Sequence, residues 1–240
     1  MCKRLSTFKS PSQIPKFLWQ IDNPFIWTDS NSVHVDLGAG RFPRNPFGAA
    51  KLKATDFHSA FQTPDGVEFV VADLTRKLPF ESGSVASFSA FDVLEHIPRW
   101  ERVDGEITFP FIDLMSEIHR CLKPGGLFIA LTPSFPATAA FQDPTHVNFI
   151  SKETIHYFGG DVPWGSELGY GFKGRFNIIL SDWLRGSGPI SNKRLSKSFH
   201  TPQNEDTFRN FLRLGLRFLR MLSNRKPSHI IWILEKVYAS

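Results

Sequence analysis

One short run constrains this chain more than any other: Val33-His34-Val35-Asp36-Leu37-Gly38-Ala39-Gly40. A mostly apolar, strand-forming stretch ends in a carboxylate and is followed at once by two glycines. Such a strand belongs inside a sheet covered on both faces. Glycine lets the chain turn sharply beyond the strand and leaves bare backbone against which a ligand can lie. Taken alone the pattern is weak, because tight turns use the same residues.

Three further strand ends strengthen it. Asp56, in Ala54-Thr55-Asp56-Phe57, comes sixteen residues after Gly40, and a carboxylate there can accept both hydroxyl protons of a ribose. Asp73, in Val70-Val71-Ala72-Asp73-Leu74, closes a third strand and can accept a hydrogen bond from an adenine amino group. The run Phe91-Asp92-Val93-Leu94-Glu95-His96 closes a fourth. A single strand-end carboxylate can simply cap a helix or solvate a loop. Four polar ends on one edge of a parallel sheet line one crevice, the usual ligand position in an open α/β sheet.

The rest of the chain alternates short apolar runs with helical stretches, which predicts an α/β, doubly wound, seven-stranded sheet with helices on both faces. Strands are expected at Val33–Leu37, Leu52–Asp56, Val67–Leu74, Val85–Phe91, Gly126–Thr132, Phe176–Leu180 and His229–Val237, mostly parallel with an antiparallel last strand. The clearest helix is Pro110–Leu122, stopped by Lys123-Pro124-Gly125-Gly126. Cys121 falls among its apolar residues as a small core side chain, and two cysteines are too few for a disulfide framework. Residues 1–30 show no strand partner and are expected to fold as a cap or lid over a domain spanning 31–240.

Charge is distributed unevenly. Residues 185–226 hold ten Lys/Arg against Glu205 and Asp206, whereas residues 1–184 carry a net −3. The stretch 185–205 reads as a flexible basic insertion. Residues 206–224 read as a helix with Arg209, Arg213, Arg217 and Arg220 in one stripe opposite Phe208, Phe211, Leu212, Leu219 and Leu222. That helix can pack between the last two strands, or 206–226 can touch an anionic membrane surface or a lipid-linked substrate. A nucleic-acid enzyme would carry basic charge around its site as well, which residues 1–184 lack, so nucleic acid is disfavoured as a partner. No apolar run reaches the ~20 residues of a membrane span, and the basic N-terminal stretch lacks the apolar core of a signal peptide. A cytoplasmic location is expected, with the basic helix as a peripheral contact to the inner face of the membrane.

With these motifs the chain resembles the class I S-adenosylmethionine-dependent methyltransferase superfamily over roughly residues 30–160. Arg44-Asn45-Pro46-Phe47, Leu94-Glu95-His96-Ile97-Pro98-Arg99, Leu122-Lys123-Pro124-Gly125-Gly126 and Phe141-Gln142-Asp143-Pro144-Thr145-His146-Val147 are similar to a bacterial group, of the type 11 kind, found in glycan and polysaccharide biosynthesis loci. The resemblance implies a Rossmann-like fold with S-adenosylmethionine as cofactor and S-adenosylhomocysteine as product. It implies that Asp36 and the turn Gly38-Ala39-Gly40 line the methionine end, that Asp56 holds the ribose, that Asp73 and Leu74 meet the adenine, and that Phe91 borders the sulfonium. One departure stands out. Pro43 and Pro46 follow the glycines where these folds begin a long helix, so the helix is expected later, near Phe47. Arg41 or Arg44 then becomes a candidate cation for the cofactor's carboxylate, the alternative being two solvated loop arginines.

A sulfonium is already activated, so the protein mainly aligns the acceptor. A sugar hydroxyl benefits from a positioned base. His96 and His146 are the candidates, with Asp143 able to orient an imidazole or act itself, whereas His34 inside its strand reads as a packed core residue. Asp92-x-x-Glu95-His96, with His146 as a fourth ligand, is also similar to the Glu-x-x-Glu-His metal motif of small-RNA 2′-O-methyltransferases. The same spacing occurs in relatives with no need for metal, so a metal stays open. The expected function is O-methylation of a saccharide or glycan intermediate. Open beside it are another small molecule of quinone or polyketide type, RNA, and a non-catalytic S-adenosylmethionine-binding protein.

Overall fold

The seven expected strands form one sheet in the computed structural model, which describes residues 2–4, 25–40, 42–57, 64–184 and 227–237. Arg41, the basic insertion 185–205 and the helix expected over 206–224 lie outside the described residues. In chain order the elements are β1 (Cys2–Arg4), β2 (Phe25–Trp27), β3 (Val33–Leu37), β4 (Lys51–Asp56), β5 (Val67–Val71) and β6 (Val85–Phe91). There follow β7 (Glu101–Val103), β8 (Glu106–Thr108), α1 (Pro110–Cys121), β9 (Leu122–Pro133), α2 (Trp164–Glu167), β10 (Phe176–Leu184) and β11 (His229–Lys236).

The sheet runs β10-β11-β9-β6-β3-β4-β5. Strands β9, β6, β3, β4 and β5 pair in parallel, and β11 is antiparallel to both its neighbours. The last strand is thus not an edge: it is inserted between β9 and β10. Every residue of β6 is buried, as a strand covered on both faces requires. Side chains alternate between two apolar layers. Phe128 and Ala130 of β9 join a layer with Phe111, Leu114, Met115 and Ile118 of α1, while Leu127, Ile129 and Leu131 face Trp27 and Phe47. Each large apolar side chain so buried contributes about 1.5–3 kcal/mol.

Several local expectations are corrected. No helix starts near Phe47. Residues 38–40 and 42–50 run as irregular chain ahead of β4, because the two prolines break the first turns and Phe47, 1% exposed, is anchored in the core. Residues 1–30 do contain paired strands, since β1 and β2 form a small antiparallel ribbon. The Trp27 N–H also donates to the Phe47 carbonyl at 3.0 Å, joining this stretch to the domain. The Lys123-Pro124-Gly125-Gly126 stop appears as an irregularity inside β9, where pairing with β6 jumps from Val85↔Leu122 to Ser87↔Leu127. The hairpin β7–β8 went unanticipated. Its turn is Asp104-Gly105, both with positive φ (50° and 90°), the backbone that a two-residue turn between twisted strands favours.

Candidate active site

Because β6, β3, β4 and β5 are parallel neighbours, their C-terminal ends share one edge. Gly38 (φ 59°) makes the turn out of β3, and a Cβ there would sit 2.5 Å from Val93 Cγ2. The turn is tacked to the end of β4: Ala39 N–H donates to the Thr55 carbonyl at 2.9 Å and Gly40 N–H to Asp56 Oδ2 at 3.1 Å. Asp36 is fully buried, accepting the Arg44 N–H at 2.9 Å and the Ser89 hydroxyl. Burial raises its pKa to about 6 even though Arg44 and Ser89 pull it down. Ser89 also bonds His34 Nε2 at 2.8 Å, and Ser87 bonds His34 Nδ1 at 2.8 Å. Burial drops His34 to about 3, so its ring is neutral at pH 7. Asp73 is exposed and accepts from the N–H and hydroxyl of Thr75 at 2.9 and 2.7 Å. Leu74 is half-buried against the core.

Arg44 is not a solvated loop arginine. It is fully buried, with its guanidinium 4.5 Å from the centroid of the Phe91 ring. Asp36 and Asp92 both act on it electrostatically. The alternative of two solvated arginines fails for this residue.

Beyond β6 the chain makes a 3-10 turn at Leu94–His96. It meets the loop 143–149 that follows β9: Val147 and Asn148 N–H both donate to the Glu95 carbonyl at 2.9 Å, and Asn148 Nδ2 donates to the Leu94 carbonyl at 3.1 Å. This pins His96 and His146 together, ring centroids 4.8 Å apart and near-perpendicular. Asp143 Oδ1 accepts from the Thr145 N–H (2.8 Å) and hydroxyl (2.6 Å), which hold it below the usual carboxylate range. Thr145 Oγ1 is also 3.1 Å from His96 Nδ1. Asp143 therefore reaches His96 through Thr145, not directly. Glu95 is buried, takes the Thr132 hydroxyl on Oε2 at 2.9 Å and has Oε1 4.0 Å from His146 Nε2. Burial pushes its carboxyl to about 8. Asp92 does not join this group: it adopts positive φ (56°), and its Oδ1 lies 3.2 Å from His229 Nε2 at the start of β11.

Residues 47–130 match the family model of the methyltransferase domain. The chain carries a methyltransferase domain. Among solved structures, a SAM-dependent methyltransferase from Archaeoglobus fulgidus has 15% identity and a TM-score of 0.51, over 85% of this chain and 86% of that one. The [4+2]-cyclase SpnF has 14% identity and a TM-score of 0.50, over 88% and 78%. At such identities both are likenesses of fold, and the second shows that the fold hosts other chemistry. No curated protein matches this chain significantly.

Four partners in this methyltransferase escaped sequence reasoning. Ser89 lies 53 residues from Asp36 and Thr132 lies 37 from Glu95, so only strand pairing brings them together. His229 reaches Asp92 because β11 inserts next to β9. Thr145 sat within a motif already singled out, and the short side chain between Asp143 and His146 was the available signal. No helix among the described residues is long and apolar enough to cross a membrane.

Proposed function

We propose that this methyltransferase methylates an oxygen of a saccharide or glycan intermediate. The observation that carries the reading is the proximity of His96, His146 and Asp143 just beyond the end of β6. An acceptor carbon already rich in electrons needs little help, whereas a hydroxyl must give up its proton as the C–O bond forms and the S–C bond breaks. Polar, hydrogen-bonded imidazoles at the acceptor end suit that demand. The saccharide class itself is supported by the resemblance of the Asp143-Pro144-Thr145-His146 segment to enzymes of glycan loci.

In this reading Asp36 and Gly38-Ala39-Gly40 border the methionine end of the cofactor, Asp56 takes the ribose hydroxyls, and Asp73 with Leu74 meets the adenine. Phe91 borders the sulfonium, and Arg44 balances the charge of Asp36 beneath it. His96, His146 and Asp143 serve the acceptor hydroxyl, Asp143 through Thr145. The basic stretch 206–226 is proposed as a peripheral contact with a lipid-linked acceptor.

One observation favours a second small-molecule class. Phe135 and Phe149 are exposed and each is in ring contact with the exposed Phe141, a surface that suits a planar aromatic acceptor such as a quinone or polyketide precursor. Labelled methyl from S-adenosylmethionine, offered to host lysate and fractionated, separates the readings. Label in the glycan fraction, absent with Asp36→Ala, supports the saccharide. Label confined to aromatic small molecules, or to RNA, overturns it. No label despite intact cofactor binding favours a non-catalytic binding protein.

A further inference from the structure

Glu95, His96 and His146 each present one donor atom, and the three atoms lie within 4.8 Å of one another. They come from two segments about 50 residues apart, locked together by the paired bonds from Val147 and Asn148 to the Glu95 carbonyl. We propose that Glu95, His96 and His146 bind one divalent transition-metal cation, with its remaining positions open toward the acceptor. The location of the acceptor rests on the reading above, with the two imidazoles then acting on the hydroxyl through the ion they hold and not as free bases; the binding of the cation does not.

The hydrogen bonds around the donors support this. His146 Nδ1 lies 3.2 Å from the Ala140 carbonyl, and His96 Nδ1 lies 3.3 Å from the Thr145 carbonyl. A carbonyl only accepts, so each bond puts the ring proton on Nδ1 and leaves the lone pair on Nε2. Such backing fixes the tautomer of metal-binding histidines. Glu95 has Thr132 on one oxygen and turns the other toward His146 Nε2. Among the described residues it pairs with no lysine or arginine, while Asp92 and Asp143 both act on it electrostatically.

Donors on one ion stand roughly 3.0–3.5 Å apart, given metal–ligand bonds near 2.1 Å, so these three close by about an ångström on binding. Two imidazoles and one carboxylate favour Zn²⁺, Co²⁺, Fe²⁺ or Mn²⁺ over Ca²⁺ and Mg²⁺, which take oxygen ligands. Glu95 is buried, His146 half-buried and His96 exposed, so the open face points outward. Asp92, the nearest other carboxylate in sequence, is occupied by His229.

The test uses the full chain, stripped with chelator and free of cofactor and acceptor. It is dialysed against Co²⁺, with bound metal counted and the visible absorption of Co²⁺ recorded. One equivalent with an absorption band of low-symmetry nitrogen–oxygen ligation is expected. His96→Ala, at an exposed position that tolerates truncation, and His146→Ala should each weaken binding by more than the roughly 10–100-fold that losing a supporting hydrogen bond costs a metal site. His156→Ala, on another exposed turn, should leave it unchanged. No Co²⁺ bound at millimolar concentration, or binding unaffected by both variants, overturns the proposal. Either result leaves the methyl-transfer reading standing, because neither cofactor nor acceptor is in the measurement.

Discussion

The two ends of the site are built differently. At the proposed cofactor edge Asp36, Ser89, His34 and Arg44 are fully buried and linked to one another by hydrogen bonds. At the proposed acceptor end His96, Thr145 and Phe141 are exposed, on a short 3-10 turn and on the chain that follows β9. A buried polar network is expensive to leave half-satisfied and so is held rigidly, whereas an exposed loop can change its side chains at small cost. A fixed cofactor can share one scaffold with many acceptors on such terms. The cofactor edge should thus couple activity to stability, and the acceptor end should not.

Asp36→Ala is expected to break that contrast most visibly. It removes the buried carboxylate that balances the Arg44 guanidinium, which should cost about 3–5 kcal/mol of stability and remove cofactor binding together; calorimetry and denaturant unfolding of the same sample would show both. A variant that keeps full stability while losing the cofactor would mean the network is not structural. Gly38→Ala comes next. It forces a Cβ at φ 59° to within 2.5 Å of Val93 Cγ2, at a cost of roughly 1–3 kcal/mol. Val93→Ala should restore part of the loss, and no rescue would place the strain elsewhere.

The pH dependence sharpens the comparison further. Asp36 has its folded pKa raised from 3.8 to about 6, so the stability it contributes is fully present below about pH 4 and lost as pH rises through 6. His34, lowered from 6.5 to about 3, works in the opposite sense over the same range. Asp36→Asn removes the first contribution alone. Relative to wild type it should gain about 1.4 kcal/mol per pH unit between pH 4 and 6 in urea titrations. Parallel stability curves for the two proteins would show that Asp36 does not titrate there.

At the acceptor end, Thr145→Val cuts the link from Asp143 to His96. Turnover should fall about tenfold with cofactor affinity unchanged, and a matching loss of affinity would contradict the separation of the two ends. The smallest effect is expected from Arg99→Ala. It deletes an exposed bond to the Phe149 carbonyl at 2.8 Å and should cost less than about 1 kcal/mol in thermal unfolding.

Much of the sheet was legible because its strands announce themselves locally. Val33–Leu37 and Val85–Phe91 are apolar runs with sharp ends, and both appear with those bounds. Asp56 was legible in the same way, as the polar residue that closes β4; Asp73, expected to close the next strand, instead lies two residues past the end of β5 at Val71. Arg44 was not, because nothing local distinguishes a buried arginine from a solvated one; its place depends on Phe91 and Asp36, brought near only by strand order. The hairpin at Asp104-Gly105 was missed because its two strands are three residues each and largely exposed, leaving no hydrophobic periodicity to read. The grouping of Glu95 with His146 in place of Asp92 depended on β11 supplying His229, a contact spanning more than 130 residues.

The position of β11 also governs how this molecule can be assembled. Because His229–Lys236 lies between β9 and β10, β10 has no place in the sheet until the chain has been made almost to its last described residue. On the ribosome, β9 therefore waits with an apolar, unpaired edge, the kind of template that recruits foreign strands. Closing the gap joins residues far apart in sequence, an entropically slow step. Chaperone demand and yield on expression should thus track the final dozen residues of this sheet more closely than anything in the cofactor motif.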